Sequence, residues 1–193
     1  MNNRLPLYST GLLLIVILLM TSVPDKVESA IELEHVLPVL TGGFGEESCY
    51  SCHFDGPLNP ARGSVFIDGL PERYKSGSEY ELSVRIEHPT MVNSGFQLAA
   101  RNSKGEQAGR FESADGRSTI NEQRDIQYVH HTYEGTTPVH ENKSVWHLHW
   151  TAPDTEPSDS IFIHISAVAG NGDKTRDGDD VFENYFIVIP ETE

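Results

Sequence analysis

An antiparallel β-sandwich is the fold this sequence predicts, and three observations predict it. From Gly63 to the end, apolar residues alternate with polar ones, the mark of strands with one buried face. Turn-forming residues interrupt the alternation at intervals short enough for hairpins. No stretch carries apolar residues at helical spacing, so two sheets packed face to face are the architecture left.

The strands are expected in the following order. Val65 and Ile67 alternate with Ser64, Phe66 and Asp68, and Gly69-Leu70-Pro71 leads to a turn at Ser76-Gly77. Tyr80, Leu82, Val84 and Ile86 then alternate without error with Glu79, Glu81, Ser83, Arg85 and Glu87. Phe96, Leu98 and Ala100 form a third run, ended by Ser103-Lys104-Gly105. Shorter runs follow at Gly109-Arg110-Phe111 and at Ile126 to Val129. Val145 to Thr151 sets Trp146, Leu148 and Trp150 on one face and His147 and His149 on the other. Ile161 to Val168 and Val181 to Ile189 complete roughly eight strands, each with one buried and one solvated face.

Three segments follow from this pattern. Residues 1–29 read as a signal peptide or N-terminal anchor, because the wholly apolar run from Gly11 to Met20 follows Arg4 and is short for a bilayer span. Residues 30–62 read as irregular, rich in glycine and proline and without a core of their own. Residues 63–193 form the sandwich. The chain has 29 acidic against 14 basic residues and a net charge of −15. That balance excludes nucleic acid as a partner and argues against anionic lipid, leaving the membrane only through an uncleaved N-terminal segment. It could steer a basic redox partner, although a solvated surface is the commoner meaning of such a balance.

The chemistry is concentrated in Cys49-Tyr50-Ser51-Cys52-His53, which holds both cysteines. Two thiols separated by two residues and followed by an imidazole form the attachment pattern for a c-type haem. Each thiol adds to one vinyl group, and His53 then supplies an axial nitrogen to the iron. A redox disulfide expects a thioredoxin-like βαβ setting, which is missing here. Zinc wants a second Cys/His pair, and no other cysteine exists. A Cys49–Cys52 disulfide would close too small a loop to restrict the unfolded chain much. One covalent haem c is the preferred reading, with a disulfide or another metal as the alternative. Export to a periplasmic or secreted location agrees with it, since such thiols oxidise outside the cytoplasm.

Gly69-Leu70-Pro71, Tyr80 to Val84, Gly95-Phe96-Gln97-Leu98, Ala108 to Phe111, His131-Thr132, Trp146 to Pro153 and Ala169 to Asp173 occur in an order that resembles the reeler-type (reelin-like) β-sandwich domain. The chain is more closely similar to exported bacterial proteins called choice-of-anchor V proteins, whose Thr-Gly-x-x-Gly-Glu-x-x-Cys-x-x-Cys-His segment is matched by Thr41 to His53. The resemblance covers about residues 41–189 and implies an immunoglobulin-like sandwich carrying a haem motif. The C-terminal sorting segment of some members has no counterpart here, so anchoring by that route is not expected.

The second axial ligand decides between electron transfer and an open iron. Candidates are His35, His88, His130, His131, His140, His147, His149, His164 and Met91. His131 is preferred, because it lies in the His-Thr step shared with the resembling family and in a polar segment that core packing does not explain. The alternative is that His130 and His131 are ordinary loop histidines. His147-x-His149 has a spacing able to chelate copper or zinc, although exposed strand histidines are commoner than metal sites. Asp173 to Asp179 echoes a calcium loop but lacks the closing acid, and reads better as an acidic turn. No hydrolase or phosphate-loop motif occurs. The expected function is therefore an exported monohaem cytochrome-like protein in electron transfer or haem-linked sensing, an electron carrier more than an enzyme. The alternative is a non-enzymatic extracellular binding or adhesion module.

Overall fold

A computed structural model describes residues 38–154 and 159–191. The expected signal segment, residues 1–29, and His35 lie outside them. Ten strands build two sheets: β1 Ser64–Asp68, β2 Arg73–Tyr74, β3 Glu79–Glu87, β4 Asn93–Asn102, β5 Arg110–Ser113, β6 Ser118–Gln123, β7 Ile126–His131, β8 Lys143–Thr151, β9 Ile161–Gly170 and β10 Asp180–Pro190. The four-stranded sheet runs β1-β3-β8-β5 and the six-stranded sheet β2-β10-β9-β4-β7-β6. Every pairing is antiparallel except the two-residue one of β10 with β2. No α-helix occurs among the described residues. The fold is the expected all-β sandwich.

The core lies where the alternation puts it. Leu82, Val84 and Ile86 of β3 and Trp146, Leu148 and Trp150 of β8 face Phe96, Leu98 and Ala100 of β4 and Ile161, Ile163 and Ile165 of β9. Phe96 packs on Trp146 with ring centres 4.8 Å apart, a favourable tilted contact. Indole N–H groups cannot be buried unpaired, and both find carbonyls: Trp146 donates to Gly135 and Trp150 to Ala108.

Two expectations need correction. Among the described residues the strands number ten, two more than expected, the additions being β2 and β6. β2 spans two residues, and β6 (Ser-Thr-Ile-Asn-Glu-Gln) is a polar edge strand with one apolar residue. The solvated outer face predicted for every strand also fails for β4 and β7, which are buried on both faces over most of their length. The cause is residues 38–62, which lie across the outside of the six-stranded sheet. Val39 packs against Ala99, Ile126 and Tyr128 on that face. The Gln97 side chain donates to Pro38 O (3.2 Å) and accepts from the amide of Leu40. Glu46 accepts from the buried Arg101 guanidinium and from Tyr128 Oη at 2.7 Å. Burial and the Glu46 carboxylate together push the Tyr128 hydroxyl up to about 12, so it stays a donor.

The far end of this segment is clamped by Asp180, at the start of β10 and 1% exposed. Its carboxylate takes both a 2.6 Å bond from Arg62 Nη2 and a 2.7 Å bond from Nε2 of the buried His88. His88 is thereby engaged as a clamp partner.

The Arg62 hydrogen bond holds the Asp180 carboxyl below the ordinary aspartate range; burial opposes the shift and His88 adds to it. A depressed folded-state value means that stability is present above the unfolded value of about 3.9 and is lost as pH falls below it. Asp180→Asn is expected to lower stability at neutral pH by about 2–3 kcal/mol, the scale of a charged hydrogen bond. It should also flatten the loss of stability below about pH 4. Denaturant midpoints of both proteins measured from pH 7 to pH 3 check this, and equal acid slopes would contradict it.

Candidate functional site

Ser48 starts the cysteine loop. Its hydroxyl accepts from Tyr50 N at 3.2 Å and caps a single 3₁₀ turn over Cys49–Ser51. Cys52 N and His53 N both donate to Cys49 O, at 3.2 and 3.0 Å, which winds the two thiols and the imidazole into consecutive positions of one tight turn. The turn is tied to the sandwich by Cys49 N, which donates to Oγ of the fully buried Ser166 on the outer face of β9 at 3.0 Å. Both cysteines are free thiols. Burial pushes the Cys49 thiol up to about 11, with the Ser166 bond opposing, so at neutral pH it is protonated. An activated redox thiolate requires the opposite shift.

His53 is held from the other side. Its Nδ1 lies 2.7 Å from Asp179 Oδ2, and Asp179 is 5% exposed. A carboxylate only accepts, so Nδ1 carries the proton and Nε2 is the ring nitrogen left with a lone pair. The second oxygen, Oδ1, accepts from Asn171 N at 2.9 Å, which ties Asp179 to the end of β9.

These groups line a cavity of about 550 Å³, within the ~300–1,000 Å³ usual for cofactor and ligand sites. Cys49, Cys52, His53, His130, His131 and Asp179 all contribute to its wall. His131, the second ligand expected from the sequence, thus lines the same cavity as Cys49, Cys52 and His53. Its approach depends on Gly95: a Cβ there would stand 2.5 Å from Cε1 of the His131 ring. Gly95 shares the outward face of β4 with Gln97 and Ala99, so the ring lies on the outside of the sheet although His131 alternates in step with the core residue Val129. The end of β7 is held by Thr132 N donating to Arg117 O at 2.9 Å. His131 Nδ1 sits 3.0 Å from Phe96 N and 3.2 Å from Phe96 O. Phe96 N donates to Nδ1, which places the proton on Nε2; only the other tautomer, which gives up that bond and donates from Nδ1 to Phe96 O, leaves Nε2 open to a metal. Burial depresses the His131 imidazole below its ordinary range, with His130 adding to this and the Phe96 carbonyl opposing. A neutral ring is the form a ligand needs.

Of the other ligand candidates, His130 lines the same cavity, with its Nδ1 3.0 Å from His131 O, and the rest of those described lie elsewhere. His88 is bound to Asp180. His164 stacks on Tyr185 and abuts Gly43. Met91 is a core residue. His140 closes a turn with Lys143. His147 and His149 share the outer face of β8, where Ser83 Oγ meets His147 Nδ1 at 3.0 Å and Glu79 approaches His149 to 3.7 Å. No group of three metal-ligating side chains forms among the described residues, so the His-x-His pair has no third ligand. Residues 171–179 form the expected turn between β9 and β10, and Asp179 within it is the site residue that sequence reasoning missed.

No protein-family model matches the sequence, and no curated protein is detectably similar to it. Among solved structures, the reelin-N domain of F-spondin superposes with a TM-score of 0.51 at 17% identity, covering 74% of this chain and 97% of that one. A human F-spondin reeler domain aligns with a TM-score of 0.48, also at 17% identity, over 71% of this chain and 96% of that one. The fold is reeler-like.

Gly95→Ala is expected to destabilise the protein by about 1–3 kcal/mol, the usual cost of overpacking, because its methyl group collides with the His131 ring. Adding His131→Ala should recover most of that loss, so the two changes are non-additive. A double-mutant cycle by urea denaturation checks the coupling, and simple additivity would contradict it.

Proposed function

We propose that this protein is an exported, reeler-like carrier of a single covalent haem c, related to the choice-of-anchor V proteins and acting in electron transfer or haem-linked sensing. One observation carries the reading: Cys49, Cys52 and His53 share the wall of one cavity with His131, a second imidazole from a distant strand. Cys49 and Cys52 would hold the porphyrin through thioethers, whose uncharged sulfur suits the buried Cys49 position. His53, through Nε2, and His131 would be the imidazoles that hold the iron. Bound haem supplies a one-electron iron couple. The fixed carboxylate behind His53 is the usual companion of a metal-ligating histidine and favours this reading over a bare thiol pair. With a net charge of −15, a redox partner would be basic at its docking face.

Co-expression of the full chain with a haem c maturation system is expected to give a protein whose alkaline pyridine spectrum shows a covalent haem band at one haem per chain. Cys49→Ala together with Cys52→Ala should abolish the band. His131→Ala should leave it in place and convert a six-coordinate visible spectrum to a five-coordinate or water-ligated one. A wild-type chain without the band would leave the binding-module alternative standing.

A further inference from the structure

We infer that Asp179 is a positioning residue for the iron site, making His53 an electron-rich ligand and poising the haem at low potential. The inference rests on the haem reading above. It starts from the Asp179 carboxylate, which is buried and has both oxygens committed: Oδ2 faces His53 Nδ1 at 2.7 Å and Oδ1 receives Asn171 N at 2.9 Å. Asn171 follows β9 and Asp179 precedes β10, so the carboxylate is fixed where two strands of the same sheet meet. The Asn171 side chain braces the loop further by donating to Asp177 O at 2.9 Å.

Two effects of this arrangement have the same sign. A proton shared between Nδ1 and a carboxylate leaves the imidazole closer to imidazolate, which makes Nε2 a stronger donor. The carboxylate charge itself, sheltered from water one imidazole away from the iron, favours the more positive oxidation state. Both stabilise ferric over ferrous iron and lower the reduction potential. Arg176 also lines the cavity and opposes the effect, but it is exposed and therefore screened. A backbone carbonyl in the place of Asp179 would fix the ring equally well without contributing a charge, so the choice of carboxylate is what sets the potential.

The test uses the full chain matured with haem, as wild type and as Asp179→Asn. Asparagine retains a carbonyl oxygen for His53 while removing the charge, so a purely structural role predicts no change in potential. Spectroelectrochemical titration of the haem-bearing fraction is expected to show a higher midpoint in the variant. At a poise where the wild type is half reduced, its ferrous-to-ferric ratio should rise about tenfold, or ~59 mV for a one-electron couple. Equal midpoints would overturn the inference. If the variant takes up no haem, imidazole ¹⁵N NMR of the haem-free wild type decides: a protonated Nδ1 with a bare Nε2 on His53 supports it, and an Nε2–H tautomer overturns it. A wild-type chain without covalent haem sinks the haem reading itself, and the same ¹⁵N spectrum then separately decides whether Asp179 orients His53.

Discussion

Two consecutive buried carboxylates, Asp179 and Asp180, are the constraint on which the rest of this structure depends. Buried carboxylates are costly unless every oxygen finds a donor, and each of these is satisfied by the segment that precedes the sandwich. Asp179 takes His53 and Asp180 takes Arg62, with Asn171 and His88 completing the two sets. Neighbouring positions at the start of a strand project to opposite sides, so a single stretch of backbone secures both ends of residues 53–62. The segment carries little regular structure and gains its order from these charged contacts.

Its other anchor is the Glu46, Arg101 and Tyr128 cluster, which fixes residues 38–48 on β4 and β7. Between the two anchors the cysteine turn is suspended over the outer face of β9, touching it through Ser166. This explains why β4 and most of β7 are buried on both sides. The outward residues of β4, Gly95, Gln97, Ala99 and Arg101, are small or hydrogen-bonding, which suits a face covered by polar backbone better than by another apolar layer.

The sandwich was legible because burial of one face imposes a period of two, which β1, β3, β8 and β9 follow closely and β10 only loosely. β6 was not, since an edge strand paired on one side needs few apolar residues, and Ile120 alone gives no period. The cysteine turn stood out because both thiols and the imidazole lie within five residues of one another. Asp179 was hidden for the opposite reason. Its partner lies 126 positions earlier, and in sequence it is one acid among several in a turn that imitates a calcium loop. Gly95 carried a faint signal, since a glycine inside a strand often marks close approach of another group, but nothing in the sequence identified that group as His131.

The placement of the cavity bears on why a sandwich should carry such a motif at all. A small helical cytochrome wraps its cofactor in its own core, so the protein and its iron site stand or fall together. Here the apolar core between the sheets is complete without the cavity, which is built on the outside of the six-stranded sheet from a loop, a strand end and a β-hairpin turn. The apolar core and the cavity wall are therefore made largely of different residues. His53, His131 and Asp179 come from three elements that the core holds rigid, and none of them belongs to the apolar core. That separation lets His53 and His131 change without loss of apolar surface between the sheets, whereas Asp179 also holds the preceding segment in place.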